Sequence, residues 1–474
     1  MISFDNINKP DWKCRFLRWF FWNTVVYKYG IPVHNHIYYH RFYVLHSGRI
    51  PKGEPAVVIC NHQNGTFDAL GILYALRKDG RHPFFSARAD VFKKEFVAKI
   101  LLLLRIMPAF RVKDVGKENL GGNYEVFDKS AEILAEDNGL ICIFPEAEDE
   151  YFHHLRTFKK GFARIAFAAA KKTNFEKAIY ILPVSNHYSN FFGMRNNLII
   201  SFGEPFTFED LYDIYKQHPQ RALKMLAERS REKVSAIMLD IKDINLYEEY
   251  DMIRRAYSKD YVKKQGLSTA YFPNVFEADK KIVATLDQFR KDCNEKFNAL
   301  MAQAKEYNSM LHKLRLHDLF FEQKLGSVPL LLRCLAAILL VPFVVYGFIM
   351  NFIPYHSCTP VLKQIKSEIS HASFHFFWGA LLSFPLWYLI LFTLFWSLTG
   401  IWWAALLYLV SLPVSLVVYV HSKIFIKKQY NYLRCFCFRC RGNPFYLRAI
   451  ELRKEIMGTV EKLMILQDSA TKTA

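Results

Sequence analysis

The run Ala56-Val57-Val58-Ile59-Cys60-Asn61-His62-Gln63-Asn64-Gly65-Thr66-Phe67-Asp68 passes straight from five apolar residues into a polar turn. Five apolar residues closed by turn formers read as a strand buried on both faces. Three similar runs follow, at Leu140 to Phe144, Ile179 to Val184 and Leu198 to Phe202. Between them, Glu125 to Asp137 and Phe158 to Lys171 carry helical spacing. Strands alternating with helical patterns predict an α/β layer with its active groups at strand ends.

The turn after the first strand has a chemical use. A carboxylate at Asp68 can accept the N–H of a His62 imidazole, fix its tautomer and favour the charged ring. The opposite ring nitrogen can then take a proton from a substrate hydroxyl. The competing reading is a plain turn, because Asn, Gln and Gly between the two residues say no more than that.

Composition narrows the field. The chain has 474 residues, of which 52% are apolar and 23% charged, which excludes wholesale disorder. Lys and Arg outnumber Asp and Glu by 63 to 44, a formal charge of +19, so an anionic partner is expected: a phospholipid surface, a phosphorylated substrate or nucleic acid. Nine cysteines without framework spacing argue against a disulfide scaffold.

No Asp, Glu, Lys or Arg occurs from Cys334 to Leu362 or from Ile369 to Ser422. Charges are costly in hydrocarbon, so these runs predict membrane spans. The first fits one helix, about Pro329 to Ile353, and the second fits two, split at Thr399-Gly400 between Trp396 and Trp402-Trp403. The tail carries Lys423, Lys427, Lys428, Arg434, Arg439 and Arg441, which the positive-inside rule assigns to the cytoplasm. With no signal peptide evident, the charged region before Pro329 is expected on that side too. Both ends on one side require an even number of crossings, against three apolar segments. The expected exception is the first, interrupted or bounded by Arg333, Pro342, Asn351 and Pro354. Asp11 to Tyr29 mixes Lys and Arg with Trp and Phe, as a helix in the headgroup layer does, or an amphipathic helix packed on the next domain. The expected organisation is therefore an amphipathic interface segment (1–43), an α/β domain (44–212), a helical cover or spacer (213–325), a transmembrane region (326–422) and a basic cytoplasmic tail (423–474).

Four blocks in order carry a resemblance: Asn61-His62 with Asp68, Pro108-Ala109-Phe110-Arg111, Phe144-Pro145-Glu146, and Leu182-Pro183-Val184. Together they resemble the PlsC-type glycerolipid acyltransferases, over about Val44 to Leu211. The resemblance implies a mixed sheet flanked by helices. It implies an enzyme moving a fatty acyl chain from acyl-CoA or acyl carrier protein to a hydroxyl of glycerol-3-phosphate or 1-acylglycerol-3-phosphate. The acyl thioester is a co-substrate, and no cofactor is expected. Five residues separate His62 from Asp68 where four are usual. That spacing, with Asn61 and Asn64, resembles the glycerol-3-phosphate acyltransferase branch with an NHxNxxxD block, some of whose members carry a hydrophobic C-terminal region.

The implied roles are His62 as general base, Asp68 as its support, and Arg111, Glu146, Lys159 and Asn64 as acceptor-binding groups. Glu146 binds acceptor hydroxyls or orders its loop. The third block departs from the family's EGTR: Ala147, Glu148 and Asp149 follow Glu146, so the local phosphate-binding Arg is absent and two carboxylates stand in its place. Phosphate-binding groups are then sought in Arg111 and in Lys159, which matches the Lys-Gly continuation of the branch, with Lys160 and Arg164 as alternatives. Neither the acidic stretch Glu146, Glu148, Asp149, Glu150, His153, His154 nor Cys435, Cys437, Cys440 has metal-ligand spacing, and no metal is expected. Juxtamembrane cysteines are palmitoylation candidates or inert. The expected partners are a phospholipid membrane, the acceptor and the acyl donor, without nucleic acid, for which no module is found. Two rivals remain: a non-catalytic lipid-binding membrane protein on the same fold, and an acyltransferase for another lyso-lipid.

Overall fold

The computed structural model describes residues 20–92, 95–109, 122–135, 139–148, 150–191, 195–322, 326–363 and 368–473. Two compact units divide between Lys242 and Asp243.

In the first unit, the described residues form a seven-stranded sheet: β1 (Tyr39–Leu45), β2 (Ala56–Cys60), β3 (Phe84–Arg88), β4 (Ile106–Ala109), β5 (Leu140–Ile143), β6 (Tyr180–Tyr188) and β7 (Asn196–Phe202), in the order β1-β7-β6-β2-β5-β3-β4. All neighbours run parallel except β6 and β7, so the sheet is mixed and flanked by helices. The expected α/β layer is observed, with β2 at its centre between β5 and β6. All five β2 residues are 0% exposed, which explains a strand written without a polar face. β1, β3 and β4 carry weaker patterns and lie toward the two edges.

Helix Gly161–Lys172 buries Phe162, Ile165, Ala166 and Phe167 in one core with Val57, Ile59 and Ile181. Helix Pro219–Ile237 adds Ala222, Leu223, Leu226 and Val234 to that core. Each large apolar side chain so buried contributes roughly 1.5–3 kcal/mol. Gly71, on helix Thr66–Leu76, lets that helix press against β7: a Cβ there would stand 3.1 Å from Leu198 and 3.2 Å from Ile200.

The second unit gathers helices Tyr247–Lys264, Phe272–Asp292, Asn294–Leu314 and Pro444–Thr473 into a bundle. Its C-terminal helix is tied in by Arg448 to Glu306 (2.9 Å), Arg453 to Asp318 (2.8 Å) and Lys264 to Glu461 (2.5 Å), and by Phe321 stacked on Tyr446. Among the described residues three helices are long and apolar enough to cross a membrane: Ser327–His356, Phe374–Thr399 and Trp402–Cys440. The first is a run of 30 residues that divides at Leu340, just before Pro342, into Ser327–Leu339 and Val341–His356. Pro342 stands near the start of a helical stretch, where its missing N–H costs nothing, and Asn351 is buried against Ser415.

Candidate active site

β2 delivers Asn61 and His62 at its C-terminal end, and β6 runs four residues beyond the last β2 pairing, Cys60 with Val184. Asn61 extends the pairing with its side chain. Its Oδ1 accepts from Asn186 N (2.8 Å) and its Nδ2 donates to Asn186 O (3.0 Å). The chain then turns at Gly65, whose φ of 54° and ψ of −127° suit a residue without a side chain, and enters helix Thr66–Leu76.

That turn folds the backbone around Asp68. Gln63 N and Asn64 N each donate to Asp68 Oδ2 at 2.8 Å, and Tyr188 Oη donates to Oδ1 at 2.7 Å. His62 Nδ1 donates to the same Oδ2 at 2.8 Å. Asp68 is 0% exposed, whereas 20% of the His62 side chain remains exposed. The His62 ring also stacks on Phe144, centroids 4.2 Å apart and planes 16° apart. A carboxylate that only accepts makes Nδ1 the N–H-bearing nitrogen, and the stacking holds the ring plane. Nε2 is thereby set as the acceptor, the arrangement a general base requires. Burial raises the Tyr188 hydroxyl well above its ordinary pKa, and the Asp68 charge adds to this, so Tyr188 acts as a donor.

Glu146 closes the site from the third block. Its Oε1 accepts from His62 N (2.8 Å) and its Oε2 from Arg156 N (2.9 Å). Through these contacts the Glu146 carboxylate joins the backbone at His62 to that at Arg156. Burial pushes its carboxyl up to about 7 against the lowering effect of those two N–H groups. The acidic residues that follow have a partner ten positions after Glu146: Arg156 meets Glu148 at 2.8 Å and Glu150 at 2.5 Å. Ala147 holds a left-handed φ of 62°, where glycine is less strained.

The other expected residues fall differently. Asn64 is buried, its Nδ2 directed to Phe191 O (3.4 Å). Lys159 is exposed, and its backbone N donates to Pro145 O (2.7 Å), which fixes it beside the Glu146 loop. Arg111 and Asp149 lie outside the described residues. His153 and His187 are buried with ring centroids 4.9 Å apart, and among the described residues no three His, Cys, Asp or Glu side chains gather as metal ligands. Burial raises the Cys60 and Cys142 thiols well above the usual range, which makes them poor nucleophiles. Arg156 and Tyr188 were not foreseen. Arg156 stood inside the Lys-Gly continuation, but its partners are fixed by a loop fold, and Tyr188 meets Asp68 only because β6 neighbours β2.

No curated protein sequence matches the chain. Among solved structures, the crystal structure of the 1-acyl-sn-glycerophosphate (LPA) acyltransferase PlsC from Thermotoga maritima is similar to 49% of this chain and 86% of its own, at 18% identity and a TM-score of 0.33. The family described as Acyltransferase matches residues 41–187, a range that contains β2, the His62–Asp68 pair, Glu146 and Arg156. Residues 41–187 thus match the Acyltransferase family.

Proposed function

We propose that this domain transfers a fatty acyl chain from a thioester, acyl-CoA or acyl carrier protein, to a hydroxyl of glycerol-3-phosphate or 1-acylglycerol-3-phosphate. The observation that carries the reading is the His62–Asp68 pair: a partly exposed imidazole on a wholly buried, four-fold hydrogen-bonded carboxylate.

His62 Nε2 takes the proton of the acceptor hydroxyl as its oxygen attacks the thioester carbonyl. The C–S bond breaks, an ester forms, and the imidazolium returns the proton to the departing thiolate. Asp68 stabilises the ring while it is charged. No covalent acyl-enzyme is needed, and the thioester is a co-substrate, so no resident cofactor takes part. Lys159 and Arg111 are proposed as the acceptor's phosphate-binding groups. Arg156 joins them, since Glu146 ties its backbone to that of His62. Asn64 supports the site through its backbone N–H. The basic tail assigns its own face of the membrane to the cytoplasm. One observation favours a different acceptor: Glu148 and Glu150 already engage Arg156, which weakens its pull on a phosphomonoester and suits a zwitterionic lyso-lipid.

The test uses the purified full chain in detergent, with labelled acyl-CoA or acyl carrier protein and a panel of glycerol-3-phosphate, 1-acylglycerol-3-phosphate and zwitterionic lysophospholipids. His62→Ala should lose about 10²–10⁴-fold in turnover with an unchanged circular dichroism spectrum. Equal turnover by the variant and the wild type would overturn the mechanism, and the preferred acceptor decides the substrate.

A further inference from the structure

The stretch expected as a helical cover or spacer sends two charged residues to the loop that carries Arg156. Arg231 stands on helix Pro219–Ile237 and Asp240 just beyond it, and both close on Leu155 and Arg156. They belong to the first unit, which runs to Lys242, and lie past residue 187, where the family match ends.

The grip is on the backbone. Leu155 N donates to Asp240 Oδ1 (2.9 Å), and Arg231 Nη2 donates to Leu155 O (2.7 Å). Arg156 N donates to Glu146 Oε2 (2.9 Å), and Arg231 Nε donates to Arg156 O (3.2 Å). All four polar backbone groups of this dipeptide are thus held by side chains, two carboxylates and one guanidinium. Such charge-assisted hydrogen bonds are the strong class, and a planar guanidinium meets two carbonyls from a fixed fork.

The grip is itself supported. Asp240 is buried, and its Oδ2 accepts from Ser235 Oγ (2.6 Å). Ile241 N donates to His153 O (2.7 Å) and His154 Nδ1 donates to Ile241 O (2.9 Å), so the segment after the helix runs alongside the loop. The Leu155 side chain is 0% exposed, which anchors the dipeptide in the core. Burial alone asks for a partner at each backbone group, and neutral partners would serve. Three charged groups converging on one dipeptide also fix where it stands.

What the dipeptide presents is the Arg156 side chain, one third exposed and resting on Glu148 (2.8 Å) and Glu150 (2.5 Å). Glu146, which holds Arg156 N, holds His62 N with its other oxygen. The placement of the Arg156 cation is therefore tied to that of the imidazole.

We propose that Arg231 and Asp240 are positioning residues for an anion subsite whose cation is Arg156 and whose ligand is a phosphomonoester, the phosphate of the acceptor. This rests on the proposed role of Arg156 as a phosphate-binding group. With its backbone fixed, Arg156 exchanges Glu148 and Glu150 for phosphate oxygens by turning its side chain alone. Little further ordering is lost on binding, which is what preorganisation contributes to affinity. Without the grip, the same contacts would cost the ordering of the loop as well. The chain past residue 187 thus sets acceptor affinity although it touches no substrate.

Arginine-selective modification tests this in the purified full chain in detergent, independently of turnover. Phenylglyoxal adds to accessible guanidinium groups, and mass spectrometry reads Arg156. Inorganic phosphate and glycerol-3-phosphate should each protect it. Arg231→Lys keeps the charge and loses the fork, and Asp240→Asn loses the carboxylate. In both, the phosphate concentration for half protection should rise by about 10–100-fold. Equal half protection in the wild type and both variants would overturn the proposal, as would a wild-type Arg156 that phosphate does not protect. Where acyl transfer is measured, the same variants should raise the acceptor KM by a similar factor and lower kcat by less. A fall in kcat at constant acceptor KM would overturn the positioning role. Should the variants misfold, the wild type decides: amide exchange at Leu155 and Arg156 should be slow before phosphate is added and change little afterwards. Amides that exchange freely until phosphate arrives would overturn the preformed grip. A wild type that phosphate protects but that acylates no acceptor would overturn the proposed function and leave this subsite standing.

Discussion

Two buried polar knots, one in each unit, invite comparison. Asp68 receives four donors: His62, Gln63 N, Asn64 N and Tyr188. Asn351 bonds to Gly347 O, Ser415 and Tyr388. Each is satisfied by a few short hydrogen bonds, as buried polar groups must be. They differ in where the knot ends. Asn351 connects only groups that cannot titrate near neutrality, so it can fix helices and nothing more. Asp68 ends on an imidazole that reaches the surface, and under the proposed function the same physical satisfaction serves to move a proton. A polar cluster becomes a site when one member is titratable and accessible.

The comparison can be broken most sharply at Asp68. Asp68→Asn removes the charge that supports the imidazolium and lets the amide hold the wrong ring tautomer. Turnover should fall by about 10²–10⁴-fold, while substrate KM stays near the wild-type value. A loss confined to KM would mean that Asp68 shapes the acceptor pocket instead.

Glu146 sharpens it through pH. Its carboxyl is pushed from 4.5 to about 7, so across that window the folded chain keeps a proton that the unfolded chain has released. Stability should therefore fall as pH rises from about 4.5 to about 7, by at most about 3 kcal/mol. Glu146→Gln should flatten that slope in denaturation measured across the window. An unchanged slope would show that the two N–H donors outweigh burial.

The smallest effect belongs to the membrane knot. Asn351→Ala should cost about 1 kcal/mol of helix association, read from thermal unfolding in detergent, and leave acyl transfer unchanged. A large loss of turnover would break the distinction between the two knots.

Much of this was legible in the residues. β2 and β5 announce themselves as apolar runs, because strands in the middle of a sheet need no polar face. β1, by contrast, reads Tyr-His-Arg-Phe-Tyr-Val-Leu, half solvated at the sheet edge, and its pattern is hidden by that exposure. The His62–Asp68 pair was readable because both sit on one turn. Arg156 and Tyr188 were not, since what brings them to the site is strand order and a loop brace, neither of which leaves a local spacing. Asn351, read as an interruption of the first apolar segment, is satisfied between helices by Ser415 and Tyr388, which sequence spacing does not show.

The third apolar helix has 39 residues, about 58 Å of rod at ~1.5 Å each, against a hydrocarbon thickness of about 30 Å. Its far end does not fray into a tether: Arg434 Nη2 donates to Leu314 O (2.7 Å) and Nη1 to Arg315 O (3.2 Å), closing the end of helix Asn294–Leu314. The bundle is thus held at one end of a long helix that carries Pro413 in its apolar half. Where that helix crosses a bilayer, the height of the bundle above the lipid is set by where hydrocarbon begins on the rod, and a change in bilayer thickness would raise or lower the bundle with it.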